Sequence, residues 1–131
     1  MKFSSALALS SLAAAFALSI SAASAAEMKK FDAAAFDAAT AAGKSILIDV
    51  AAPWCPTCKA QKPIIEQLGY APEYKDLVVF EVDFDTQADA LKKFKARSQS
   101  TLIAFKGATE TGRTVGDTKK DGIAALLKSA L

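Results

Sequence analysis

Two cysteines, Cys55 and Cys58, stand in the run Pro53-Trp54-Cys55-Pro56-Thr57-Cys58-Lys59, and the 131-residue chain has no others. A thiolate is a nucleophile, and two thiols one helical turn apart suit reversible thiol–disulfide chemistry. If the pair opens a helix, the first sulfur faces unsatisfied backbone N–H groups and the positive end of the helix dipole, and both favour the thiolate. Cys55, at the exposed start of such a helix, is then the attacking thiol. Cys58 can reach the resulting mixed disulfide and release the product. Three plainer arrangements compete. A purely structural disulfide closing a loop of about four residues contributes only about 2 kcal/mol on the chain-entropy estimate. A zinc site needs four ligands, of which two cysteines supply half. Two unrelated buried thiols would have no need of a Trp-Cys-Pro-Thr-Cys-Lys setting.

The remaining composition excludes much else. There is no His, so Ser-His-Asp and Cys-His catalysis, His-ligated zinc and imidazole pH switching are closed to a single chain. Sixteen Lys+Arg against 14 Asp+Glu give a formal charge of +2, with only isolated pairs such as Lys29-Lys30 and Lys119-Lys120. That is no electrostatic footprint for nucleic acid.

The apolar residues are unevenly spread. Lys2 is followed by an uncharged stretch from Phe3 to Ala26 that ends in Ser21-Ala22-Ala23-Ser24-Ala25-Ala26. A positive start, an apolar middle and a small-residue end are the parts of a secretory signal peptide. The same stretch could span a bilayer of about 30 Å, but its seven Ser residues and many Ala make it weakly hydrophobic. Cleavage after Ala25 is expected, giving a signal peptide over residues 1–25 and one domain over residues 26–131, near +1 in charge. An exported, periplasmic or secreted, location follows, in which a Cys pair can be oxidised.

The elements that must position the cysteines are legible from pattern. Asp32, with Phe31 and Phe36 at the staple positions, predicts a helix running to about Ala42 and stopping at Gly43. Ser45 to Ala51 is a short apolar run broken only by Asp49, which reads as a buried central strand. A helix is predicted from Pro56 to about Leu68, kinked at Pro63. Leu77 to Phe84 alternates from Phe80 onward as a half-buried strand, and Thr86 with Asp89 suggests a capping box before a helix carrying Leu91 and Phe94. Thr101 to Phe105, ending at Lys106-Gly107, and Glu110 to Val115 read as a strand and its returning hairpin partner. Ile123, Leu126, Leu127 and Leu131 recur at helical spacing. The order is helix, strand, helix, strand, helix, strand, strand, helix, an α/β domain with helices on both faces of the sheet.

With these motifs in place, the chain over residues 29–131 resembles the thioredoxin family. Ile46-Leu47-Ile48-Asp49 precedes Cys55 by the family's interval, and Asp49 falls at its buried acid. Trp54 matches the aromatic residue before the first Cys, and Pro63 the helix-kinking proline. Phe105-Lys106-Gly107 matches the end of its fourth strand, and Val115-Gly116 the glycine near its last strand. The resemblance implies the thioredoxin fold, a central mixed sheet of four to five strands with helices on both faces. It also implies a Cys55-Cys58 disulfide that exchanges with protein thiols and disulfides without an organic cofactor, and a separate partner that recycles it. Trp54, Pro56, Thr57, Gln99, Ser100 and Thr101 fall at the family's substrate-docking positions, and Asp49 at that of a proton acceptor for Cys58. A monomer is expected.

The chain also departs from the family. Ser100 stands where the family has a cis-proline facing the dithiol. A cis bond at a non-proline residue costs about 3 kcal/mol, so Gln99 to Ser100 is expected to be trans. The change bears on the docking edge at Gln99 and on the steric guard over the thiols, and a Ser hydroxyl could reach a thiolate or a metal. Pro56-Thr57 is neither the Gly-Pro of a reducing member nor the Pro-His of a strongly oxidising one, which predicts a potential between about −120 and about −270 mV. Lys59 could add modest thiolate stabilisation. Glu81 falls where the family commonly has Lys: either it raises the proton affinity of Asp49, or it simply faces solvent. Ala51 replaces a family tryptophan, leaving Trp54 as the large aromatic wall. The leading expectation is an exported thiol-disulfide oxidoreductase. The alternative is a non-catalytic module of the same fold that uses the Cys pair and Ser100 to hold a metal or a partner protein.

Overall fold

A computed structural model describes residues 24–131. The signal peptide expected over residues 1–25 lies, but for its last two residues, outside the described residues.

Five strands and four helices follow in the order β1 (Glu27–Lys30), α1 (Ala33–Ala41), β2 (Ser45–Ala51), α2 (Pro56–Gly69), β3 (Val78–Asp83), α3 (Ala88–Phe94), β4 (Thr101–Lys106), β5 (Thr109–Val115) and α4 (Lys120–Lys128), with a 3-10 turn at Pro72–Tyr74 between α2 and β3. The sheet order is β1-β3-β2-β4-β5. β3 runs parallel to both β1 and β2, while β4 is antiparallel to β2 and to β5. This is the expected mixed sheet with β2 at its centre.

Period-two alternation divides the core into two layers. Ile46, Ile48 and Val50 of β2 join Val78, Phe80 and Val82 of β3 beneath α1 and α3. Leu47 of β2 and Val79 of β3 point the other way, against Ile65 of α2 and Ile123 and Leu127 of α4. Both faces of β2 are therefore covered, and Asp49, between Leu47 and Ala51 in the alternation, falls in the α2 layer. Among the described residues no helix is long and apolar enough to cross a membrane.

Local signals account for most boundaries. Asp32 accepts from the Ala35 amide at 2.9 Å and so caps α1, while the Phe31 and Phe36 rings lie 5.9 Å apart across the cap. Gly43 ends the helix with a φ of +66°. Gly107 turns the β4–β5 hairpin at a φ of +56°, where a Cβ would stand 3.3 Å from both Gly43 Cα and Thr40 O.

Three expectations need correction. The first element is not the expected helix but β1, which carries no strand pattern because Glu27-Met28-Lys29-Lys30 has one apolar residue and no alternation of the usual kind. It is an edge strand held by backbone pairing to β3, and its exposed charges suit an unpaired edge. The Thr86–Asp89 capping box does not form. Gln87 is the N-cap, without a side-chain cap bond, and Asp83 closes the preceding turn by accepting from the amides of Asp85 and Thr86. Leu131 lies beyond α4 and is exposed, so Ile123 and Leu127 alone anchor that helix in the core, with Leu126 at its margin. Pro63 sits within α2, which continues to Gly69.

Phe36 lies at the centre of a ring cluster, 5.1 Å from Phe94, 5.7 Å from Phe105 and 6.0 Å from Phe80. Phe36→Ala is expected to destabilise the domain by about 3–5 kcal/mol, against about 1 kcal/mol for Asp32→Ala. Denaturant unfolding of the two variants measures the difference, and equal costs would contradict the packing described.

Candidate functional site

The chemistry is set at the junction where β2 leaves the sheet and α2 begins. Ala52 to Trp54 forms a tight turn, closed by the Cys55 amide donating to the Ala52 carbonyl at 3.1 Å. Cys55 is the N-cap of α2, in extended conformation, and Pro56 occupies the first helical turn, where its missing N–H leaves no bond unmade. Cys55 and Cys58 are joined as a disulfide, with Cα atoms 5.3 Å apart. The Cys58 amide donates to Cys55 Sγ at 3.1 Å. The sulfur of Cys55 thus takes the place of a capping oxygen, and on reduction the same N–H and the helix dipole would stabilise its thiolate.

Exposure does not single out Cys55 in the way the sequence suggested. Cys55 is 1% exposed and Cys58 6%, because both pack with Ala52 beside Ala51 and Phe84. The distinction between the two sulfurs rests on the helix-start N–H. What is exposed is the rim: Trp54 at 54%, with Pro53 and Pro56 beside it. The Trp54 indole is fixed by its Nε1–H donating to Asp85 Oδ2 at 2.9 Å and by an edge contact with Phe84. Asp85 was not identified from sequence; it follows β3 in a polar turn, and no spacing rule connects it to Trp54.

Ser100 is trans to Gln99, as expected, since no cis peptide occurs among the described residues. It adopts a left-handed φ of +57°, which is strained for a residue with a Cβ and is maintained by bonds on every side. Its amide donates to the Val50 carbonyl at 2.7 Å, a bond no proline could make. Its carbonyl accepts from the Gly116 amide at 2.9 Å and from Gln61 Nε2 at 3.3 Å. Gln61 is fully buried on α2 and also donates to the Asp117 carbonyl at 2.9 Å, tying the helix to both loops. It was not singled out from sequence, although it lies one turn beyond Cys58 on α2.

The Ser100 hydroxyl is not aimed at the sulfurs. It donates to the Gln99 carbonyl at 2.6 Å, so the oxygen expected at the docking edge is already engaged. Thr101 donates to the Ser98 carbonyl and begins β4 opposite Val50. The Val50 carbonyl, which receives the Ser100 N–H, lies 3.9 Å from Cys58 Sγ and links this loop to the disulfide. Pro56 and Thr57 lie on the first turn of α2. The donor set imagined for a metal therefore reduces to the two sulfurs, and among the described residues no group of three or more potential metal ligands is assembled.

Asp49 lies beneath the disulfide, 5% exposed, with its Oδ1 unpartnered. It lines a cavity of about 190 Å³ with Cys58, Lys59, Lys62 and Glu81. Burial, reinforced by the neighbouring Glu81 and opposed by Lys62, pushes its proton affinity up from 3.8 to about 7. The two readings of Glu81 are both realised. It is Asp49's register partner on β3, and its side chain is also 44% exposed, 3.9 Å from the Lys62 ammonium. Lys62 was not singled out from sequence, although its position four residues after Cys58 places it on the same side of α2.

The raised proton affinity makes stability depend on pH with a definite sign. Unfolded, Asp49 ionises near 3.8; folded, it does so at about 7. Its neutral form is compatible with burial, so stability is fully present below the lower value and falls as pH rises through the upper one. Asp49→Asn removes this titration. The variant's gain over the parent chain is expected to grow between pH 4 and about pH 7 and then level off, as read by denaturant unfolding of the oxidised forms. A gain independent of pH would contradict the burial argument.

A profile of the Thioredoxin family matches residues 27–129. Thioredoxin-2 of Saccharomyces cerevisiae is 38% identical over 82 residues, 62% of this chain and 77% of its own length. An H-type thioredoxin of Brassica campestris is 37% identical over 91 residues, 70% of this chain and 72% of its own. The crystal structure of Trxlp from Edwardsiella tarda superposes with a TM-score of 0.75 at 40% identity, covering 77% of this chain and 98% of that one. The five-stranded mixed sheet, the disulfide at the start of α2 and these similarities agree: the chain has the thioredoxin fold and belongs to the thioredoxin family of thiol-disulfide oxidoreductases.

Proposed function

We propose that the protein acts in an exported compartment as a monomeric thiol-disulfide oxidoreductase on protein substrates, with Cys55 attacking, Cys58 resolving and Asp49 accepting the Cys58 proton. The observation that carries this assignment of roles is the Cys58 amide donating to Cys55 Sγ, which makes Cys55 the better thiolate and leaving group. In the reducing direction, the Cys55 thiolate attacks a substrate disulfide. A Cys55–substrate bond forms, and one substrate sulfur leaves as a thiolate that takes a proton from water. Cys58 then gives its proton to Asp49 and attacks Cys55, closing the Cys55–Cys58 bond and releasing the second substrate thiolate. Two electrons pass from the dithiol to the substrate, and the oxidising direction is the reverse.

Asp49 suits the proton transfer because a pKa of about 7 lets it both take and return a proton around neutral pH. Trp54, held by Asp85, forms one wall of the docking surface, with Pro56 and Thr57 at the helix start and Gln99 to Thr101 at the adjoining edge. Because the Gln99 carbonyl is occupied by the Ser100 hydroxyl, substrates make fewer backbone bonds there. The export reading rests on residues 1–25.

Cys58→Ser should trap mixed disulfides through Cys55 when the full chain is expressed in its own host. Mass spectrometry of the trapped species is expected to show exported proteins as partners and a mature chain beginning at Ala26. Trapping through Cys58 in Cys55→Ser instead, or no trapping by either variant, would overturn the assignment.

A further inference from the structure

Asp49 separates two clefts. The first, of about 190 Å³, contains Cys58, Ala52 and Pro53 and lies under the disulfide. The second, of about 260 Å³, opens on the β1 side between Met28, Lys29, Lys30 and Glu66. Three residues line both: Asp49, Glu81 and Lys62. Cys58 reaches only the first, and the exposed charges of β1 only the second. Pro53, two residues before Cys55, lines only the first cleft, so a substrate joined to Cys55 would sit nearer that cleft than the second, which opens on the β1 side.

We propose that Glu81, braced by Lys62, is the positioning residue through which Asp49 exchanges its proton with water in the β1-side cleft. This deepens the reading of Asp49 as the proton acceptor and rests on it. The proton that leaves Cys58 as the Cys55–Cys58 bond closes passes to the Asp49 carboxylate, from there through a water held by the Glu81 carboxylate, and out past Lys62. No electron is transferred in these steps, and Asp49 returns to its ionised form.

Three features support the assignment. Asp49 Oδ1 is buried and has no protein partner, leaving it free to bond a water. Glu81 is its register partner on the adjacent parallel strand, on the same face of the sheet, with a half-exposed carboxylate. The Lys62 ammonium, 3.9 Å from Glu81 Oε2, comes from the helix that carries Cys58. The other charged groups facing this region are Asp83 on β3 and Lys59 and Glu66 on α2, with Lys29 and Lys30 across the second cleft. On the β4 side Asp49 meets Leu102, which brings no charge. Glu81 and Lys62 act on the Asp49 proton in opposite senses.

The test uses the oxidised full domain with carboxyl-labelled aspartate, the Asp49 signal being assigned by its loss in Asp49→Asn. Carbon NMR titration is expected to show the Asp49 midpoint falling in Glu81→Gln and rising in Lys62→Gln, each by about one pH unit. In single-turnover release of a substrate from Cys55, Glu81→Gln is expected to be several-fold slower in dilute buffer. Added formate should restore the rate, and Glu81→Asp should keep it. Midpoints that stay fixed or move the same way in both variants would overturn the proposal, as would a Glu81→Gln rate unaffected by formate. A parent chain that exchanges no disulfide at all would overturn the underlying reading, and the relay with it, whichever way the titrations move.

Discussion

The chemistry of the site depends on one local arrangement, the amide of Cys58 directed at the sulfur of Cys55 where α2 starts. For that N–H to be available, Cys55 must be extended and Pro56 must begin the helix. For the helix to begin there, β2 must end at a fixed height in the sheet. The buried strand provides this. Its two covered faces fix its register against β3 and β4, since a slip by one residue would turn Ile46, Ile48 and Val50 out of their layer. The same alternation that keeps those residues in the α1–α3 core forces Asp49 into the opposite layer, beneath the disulfide.

The electrostatics of the site follow from that placement. A carboxyl in an apolar layer holds its proton unless something favours the ion, and the nearest candidate, the exposed Lys62–Glu81 pair, supplies both signs at once. An ion pair so exposed contributes little to stability. It leaves the buried carboxyl poised near neutrality, a suitable value for the proton-accepting role proposed for it. The cation of this trio comes from α2 and the second anion from β3.

Ser100 shows how a substitution at a special backbone position is absorbed. Proline would have removed an amide; serine supplies one, and the Val50 carbonyl accepts it at 2.7 Å. The strained φ of +57° is then held by Gly116 and the buried Gln61. Residues with no apparent partner in the sequence, Gln61 and Asp117, become necessary to the loop that borders the disulfide. The strands, the helices and the Cys pair were legible in the sequence because each is written in local periodicity, a cap or a spacing. β1 was not, because an edge strand of Glu27, Lys29 and Lys30 is specified by its neighbour β3 and not by its own pattern. Asp85, Lys62 and Gln61 were missed because their roles are contacts between elements, which no local rule encodes. The Ser100 hydroxyl turned to Gln99 for the same reason: its direction is set by the left-handed backbone, which a sequence does not display.

The central claim is that the Cys55–Cys58 disulfide is a working redox couple rather than a fixed brace. Equilibrium titration of the domain against glutathione, followed by the fluorescence of its single Trp54, tests this most directly. The account predicts one two-electron transition with a midpoint between about −120 and about −270 mV, set by a thiolate stabilised at a helix start without a histidine. A disulfide that stays oxidised below about −300 mV, as structural bridges do, would contradict it.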